Sequence, residues 1–554
     1  MNAVDRTKVH SKPRPSKKEL RSTGVPRTAP TETATYSELS DRQWRLLSAA
    51  IIFIAACLRF YHLALVPLHH DEGVNGLFLT RLFRTGAYQY DPANYHGPTL
   101  YYLALVVTTA NAFLFGKAGL STVAIRCVPA IFGTATVWLT LTFRRYLGTY
   151  AALGAAAFVA LSPGSVYVSR YFIHEVPFVF FTLGLAAAAL RYQETSRPEY
   201  LWLASASAAL LFATKETAII SVVVLVLAYL CAVGYLALTQ KGGQKRAVGG
   251  PKVPPGHSLG EPPDDSGRKP TSRIGVWVVA VVVFLSLYIL FYSSFGSNYK
   301  GVYDSIATFR YWSKTGASDV MHDQFTYLRW LGQEELPAML LGLMGFAIAL
   351  GRASNRFALF SGFWTMGMLA AYSLIPYKTP WLGLNISVPL ALVAGYGLAE
   401  AYAEVRRIRG RRMQVFLVAL LGMALVISAY QAIDLSFFRY DDDSLPYVYA
   451  HTQRQFLDLV ERLNQIAVRN PSGVRTNMTI AAVNYWPLPW YLRDYPNVGY
   501  WGHVVPTREP VVIAEESQLA ELQPILGDRY DRVGSYNLRP GVVLVLFVRR
   551  DVAR

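Results

Sequence analysis

Uncharged stretches long enough to cross a membrane recur along most of this chain. They cover residues 127–143, 151–168, 217–238, 274–292, 357–376, 382–399 and 414–433. A helical span needs roughly 17–25 mostly apolar residues. The stretch 46–66 also qualifies if Arg59 and His62 sit near its end or face protein. Three shorter ones, 176–190, 201–214 and 336–350, qualify if tilted or locally thinned. Charged residues make up only 16% of the 554, against 53% hydrophobic, whereas a soluble chain carries roughly 25% charge. The expectation is an all-α polytopic domain of about eleven transmembrane helices.

The net charge of +17 raises nucleic acid as a partner, and its distribution argues against one. With eleven spans and the N-terminus inside, the inner segments hold 28 Lys and Arg, and the outer segments before residue 434 hold 10. This asymmetry is the positive-inside signal of a multi-pass protein of the plasma or inner membrane. The basic excess then marks topology and contact with anionic lipid. Residues 1–44, polar and basic with no early apolar stretch, read as a disordered cytoplasmic tail, and the first span as an uncleaved anchor. Residues 239–273, rich in Gly, Pro and Lys, read as a cytoplasmic linker. The stretch 99–115 is long enough to span, but a span there would put the Arg406–Arg412 cluster outside. It is therefore expected to lie in or dip into the outer interface. Cys57, Cys127 and Cys231 all fall in spans, so no disulfide framework is expected.

After residue 433 the composition becomes that of a soluble domain. The apolar spacing of 451–468 predicts a helix. Residues 478–483, 511–514 and 542–548 read as short buried strands, with a helix over 518–526. These elements predict a small extracytoplasmic α/β domain over 434–554, behind a transmembrane domain over 45–433.

Ionisable residues collect at the expected outer ends of the spans. The run His69-His70-Asp71-Glu72 follows the first span. Its plain reading is an interfacial loop, with Asp71 as N-cap of a helix over 72–84. Its functional reading is a carboxylate general base with a second carboxylate beside it. The next outer segment carries Arg170, His174 and Glu175, which form either an ion pair at a helix end or part of a polar cavity. Lys215 and Glu216 stand between two spans, and Lys378 lies between Tyr377 and Trp381, aromatics of the interfacial belt. A lipid phosphate headgroup needs a cation at this depth. A carboxylate base with such cations suits glycosyl transfer from a lipid phosphate, in which the base deprotonates an acceptor hydroxyl and the cations stabilise the departing phosphate. The chain has no P-loop and no Gly-rich dinucleotide motif.

The stretch HHDEGVNGLFLTRLFRTGAYQYDPANYHGPTLYY (69–102) resembles the first outer loop of the GT-C membrane glycosyltransferases. Among them it is most similar to the flippase-activity-associated membrane proteins, which are related to protein O-mannosyltransferases and aminoarabinose transferase. SRYFIHEVPFVFF (169–181), ATKETA (213–218), IPYKTPWLGLN (375–385), LPYVYAHT (445–452) and YWPLPWYLRDYPNVGYW (485–501) resemble the same family. The resemblance implies juxtamembrane helices in the first outer loop, a base at Asp71 with Glu72 beside it, and a second acidic residue at Glu175, where the mannosyltransferases usually have Asp. Arg170, Lys215 and Lys378 are the expected phosphate ligands, and His70, His96, Glu216 and Trp381 the expected substrate-binding residues. No metal or other cofactor is expected, since the His and carboxylate spacing matches no zinc motif. The implied function is inverting transfer of a sugar from a polyprenyl-phosphate donor to an acceptor hydroxyl of a protein, lipid or glycan on the outer face. The alternatives are a flippase or flippase-associated protein for lipid-linked sugars, and an assembly protein that binds through residues 434–554.

Overall fold

The computed structural model describes residues 39–93, 96–246, 273–315 and 322–553. Most of the expected N-terminal tail and residues 247–272 of the expected linker lie outside them. The first described helix is α1 (Asp41–Phe60), where Ser40 and Gln43 form a capping box. Then follow α2 (His70–Thr85), α3 (Thr99–Phe115), α4 (Thr122–Leu141), α5 (Thr149–Leu161), α6 (Pro163–Val168), α7 (Glu175–Thr195), α8 (Pro198–Phe212) and α9 (Ala218–Arg246). The membrane part continues with α10 (Arg273–Tyr292), α11 (Lys300–Thr315), α12 (Thr326–Glu334), α13 (Leu336–Arg352), α14 (Arg356–Leu374), α15 (Leu384–Arg407) and α16 (Arg411–Ile433).

A helix occupies each of the eleven segments expected to span. Among the described residues, eight helices are long and apolar enough to cross a membrane, and nine if α12 and α13, bent by 110°, count as one span. The difference from eleven lies in α5 and α8, which are short. The stretch 151–168 is divided because Ser162 caps α6 through the Ser165 N–H and Pro163 takes the first helical position, where a proline costs nothing. The buried Arg59 guanidinium closes the break, donating to the carbonyls of Val159 and Ala160 and to Ser165 Oγ at 2.9–3.1 Å. Helices α10 and α16 leave most of their apolar surface outward, as lipid-facing helices do. The most enclosed helix, α15, packs against α5, α13 and α14. The chain is a multi-pass membrane protein.

The C-terminal part contains α17 (Phe456–Arg469), α18 (Leu519–Leu526) and five strands: β1 (Met478–Ile480), β2 (Val498–Tyr500), β3 (Val511–Glu515), β4 (Tyr530–Arg539) and β5 (Val542–Arg549). The sheet order is β2-β1-β3-β5-β4, with β1 parallel to β2 and β3, and β5 antiparallel to β3 and β4. Phe456, Leu459, Leu463 and Ile466 form the buried stripe of α17 against the sheet. Strands β2 and β4 carry no strong apolar alternation and go beyond the sequence expectation.

This domain sits on α2. Arg84 pairs with Asp494 at 2.6 Å, the Leu68 N–H donates to Tyr491 Oη at 2.9 Å, and Arg493 donates to the Leu120 carbonyl at 2.8 Å. Thr452 Oγ1 donates to the Leu68 carbonyl at 2.7 Å.

Candidate active site

The cap of α2 is His69, not Asp71. The Asp71 N–H donates to His69 Nδ1 at 3.1 Å, and the His69 N–H donates to Glu72 Oε2 at 3.0 Å. Because the imidazole does the capping, the Asp71 carboxylate is free of it. Asp71 and Glu72 both stand in the first turn, where the helix dipole favours negative charge, but their surroundings differ completely. Glu72 is fully buried and meets Arg126 of α4 in a two-point contact: Nε to Oε1 at 2.8 Å and Nη2 to Oε2 at 2.6 Å. Its Oε1 also accepts from the Phe172 N–H at 2.8 Å. The remaining Arg126 donors hold the carbonyls of Leu63, Val66 and Pro67. Glu72 thus ties α2 to α4, to the turn after α1 and to the loop before α7. The side chain of Asp71 is 44% exposed, and the ion-pairing group nearest to it is the His69 Nδ1, 3.8 Å away. That nitrogen already accepts the Asp71 N–H.

Three connecting segments meet in a second, buried cluster. Glu175 begins α7 and accepts from Lys215 Nζ at 2.5 Å. Glu216 pairs with His96 Nδ1 at 3.0 Å. The Nε2–H of His174 donates to the Gly97 carbonyl at 3.1 Å, and the His96 and His174 rings lie 5.3 Å apart. Burial pushes His174 well below the usual imidazole range. Burial would raise the Glu216 carboxyl, but His96 and Lys215 outweigh it and hold it low. For Lys215, burial is likewise outweighed, by Glu175 and Glu216, and its ammonium is held above its ordinary value.

The remaining expected residues divide. Arg170 is buried at the end of α1, where its guanidinium donates to the carbonyls of Tyr61 at 2.6 Å and His62 at 3.0 Å and covers the Phe437 ring. A phosphate would have to displace that cap. Lys378, 1% exposed, donates to the Ile375 carbonyl at 2.5 Å and makes no ion pair among the described residues. Burial lowers its pKa. Trp381 lies edge-on to His69 at 5.6 Å. Burial, then Asp71, Tyr449 and Glu175, push the Tyr377 hydroxyl up to about 12.

Sequence reasoning missed four residues here. Arg126 stands just before an apolar run, a lone charge at a span's mouth. His451 stacks on His69 with centroids 4.9 Å apart. Trp486 faces His70 at 5.9 Å, and its only signal was the aromatic-rich stretch it belongs to. Burial lowers the pKa of Arg539, at the end of β4, against the charges of Glu515 and then Asp71, and this residue gave no sequence signal.

Residues 96–242 match the family described as dolichyl-phosphate-mannose-protein mannosyltransferase. No curated protein matches the chain by sequence. Among solved structures, ArnT from Cupriavidus metallidurans in the apo state is 15% identical, with 91% of this chain and 97% of ArnT covered and a TM-score of 0.60. ArnT bound to undecaprenyl phosphate is 16% identical, with 92% and 98% covered and a TM-score of 0.58. The Archaeoglobus fulgidus oligosaccharyltransferase in the apo form is 12% identical, with 93% and 77% covered and a TM-score of 0.53. The helical bundle with its docked sheet domain therefore has the GT-C fold of these membrane glycosyltransferases, and its residues 96–242 are similar to the mannosyltransferase family.

Proposed function

We propose that the chain is a membrane glycosyltransferase that moves a sugar from a polyprenyl-phosphate donor to an acceptor hydroxyl on a protein, lipid or glycan. Asp71 is the general base. It takes the hydroxyl proton as the acceptor oxygen attacks the anomeric carbon, and the bond from that carbon to the phosphate oxygen breaks. A single displacement of this kind inverts the anomeric centre. The observation that carries the reading is a contrast among carboxylates. Glu72, Glu175 and Glu216 are each buried in a pair with Arg126, Lys215 and His96, whereas Asp71 is half-exposed and, among the described residues, has no Lys or Arg in contact. Glu72 and Glu175 then hold the scaffold of the site. The reaction takes place on the outer face, with the N-terminus cytoplasmic and residues 434–554 on the side of the acceptor.

A path for the donor supports this reading. Between α9 and α14 runs a groove of about 610 Å³, lined by apolar side chains including Ile219, Val223, Leu227, Phe363, Met366 and Ala370. Lys215 lies just before α9 and Lys378 just after α14, so a polyprenyl chain in the groove leads its phosphate toward both. Lys378 is the first candidate ligand, because Lys215 already serves Glu175. The ArnT structure of the same fold holds undecaprenyl phosphate, a ligand of this class.

The test is sugar transfer by the purified full chain from a panel of radiolabelled polyprenyl-phosphate sugars. Asp71→Asn is expected to lower turnover by about 10²–10⁴-fold with unchanged thermal stability and donor binding. Full transfer by that variant would remove Asp71 as base. Translocation of the carrier in vesicles without any transfer would replace the reading with a flippase.

A further inference from the structure

The α/β domain places a guanidinium, that of Arg539, between the charges of its own Glu515 and of Asp71. Arg539 ends β4, half-buried, and its Nη2 donates to Asn484 Oδ1 at 2.5 Å. The nearby Glu515 carboxylate accepts from both the backbone N–H and the Nδ2 of Asn484 and keeps its charge, which leaves the other Arg539 N–H groups for a ligand. Arg539 makes no ion pair among the described residues. Two positions beyond Asn484, the Trp486 ring faces His70 at 5.9 Å, with Tyr485 packed behind it at 5.8 Å. His70 directly precedes Asp71. One flank of the candidate base is therefore made by the C-terminal domain, as an aromatic wall with a guanidinium beside it. The other flank is made by Trp381 against His69 and leads to Lys378 and the apolar groove.

A planar guanidinium with spare N–H groups suits a carboxylate or phosphate, which it grips at two points. A flat aromatic face beside it suits the apolar side of a sugar ring. The donor phosphate already has a cation on the groove side, so a second anion site on the water-soluble domain calls for a different ligand. We propose that Arg539, with Trp486 and His70, binds an anionic group on the acceptor, a carboxylate or phosphate close to the hydroxyl that attacks. This rests on the reading of Asp71 as base, and it gives the C-terminal domain the choice of acceptor.

The experiment uses the full chain in detergent, labelled on arginine with phenylglyoxal and mapped by peptide mass. Inorganic phosphate and glucuronate are expected to slow modification of Arg539 by about ten-fold, the factor that one charge-assisted hydrogen bond carries, and glucose is expected to leave it unchanged. Protection is expected to persist in Asp71→Asn, so failure of the base reading and failure of this proposal separate. Absence of protection by both anions overturns the proposal. Protection by polyprenyl phosphate at lower concentration than by glucuronate overturns it as well, by assigning Arg539 to the donor.

Discussion

Adjacent carboxylates with opposite surroundings decide what each residue of the HHDE run does. Glu72 is consumed by Arg126 and two backbone N–H groups, and Asp71 is not. Glu72→Gln is expected to fail differently from Asp71→Asn. It leaves the Arg126 guanidinium buried without its counter-charge, a loss of about 3–5 kcal/mol, read as a lower thermal midpoint and poor recovery from the membrane. If Glu72→Gln keeps wild-type stability and loses only turnover, the division of roles between the two acids is wrong. The sequence marked the run because four ionisable side chains in a row beside a span are uncommon. It could not assign the roles, because Arg126 lies 54 positions away and nothing local distinguishes a paired carboxylate from a free one. Arg170 is the same lesson for a cation. Its charge suggested phosphate, and its position at the carbonyl end of α1 gives it unpaired backbone acceptors.

At the level of elements, apolar length found each helix that, among the described residues, is long and apolar enough to cross a membrane, and misjudged continuity. The Ser162-Pro163 pair that divides α5 from α6 was visible in the sequence. The Arg59 guanidinium that makes the break tolerable comes from 100 positions upstream. The connections between elements show a second non-local effect, in which loops from four parts of the chain are clamped by buried neutral imidazoles. His174 holds the loop before α3 through Gly97, and His451 donates to the Tyr449 carbonyl and stacks on His69. Burial holds both rings well below the ordinary value of 6.5. In the unfolded chain they take up a proton near that ordinary value, so below it the unfolded state binds more protons than the folded one. Stability is therefore complete above about pH 6.5 and lost as the pH falls below it. Thermal midpoints measured from pH 7.5 to pH 5 are expected to fall, and His174→Gln, which keeps a donor for the Gly97 carbonyl, to flatten the fall. An unchanged slope in that variant would mean that His174 does not titrate between the two states.

For the whole molecule, the question is how the α/β domain is held rigidly on α2, the helix that carries Asp71. The HHDE run is followed by Gly73 and Gly76, one helical turn apart, and the domain presents Pro487 and Trp490 at the same interval. A Cβ on Gly73 would stand 2.7 Å from the Pro487 Cβ, and one on Gly76 2.5 Å from Trp490 Cε3. The two glycines therefore form a flat patch on which the domain rests. Trp490, fully buried under the Arg493 guanidinium, donates from Nε1 to Thr122 Oγ1. Gly76→Ala should force the indole away, an overpacking cost of about 1–3 kcal/mol, and should lower turnover along with stability because α2 carries Asp71. Trp490→Phe removes the outer ring that the new methyl meets, and alone it costs packing and one hydrogen bond. Together the two changes should be less harmful than their sum, with a coupling of about 0.5–3 kcal/mol in a double-mutant cycle. Additive losses would mean that the two residues do not touch, and with that contact would go the rigid seat that brings residues of the α/β domain up to the HHDE run.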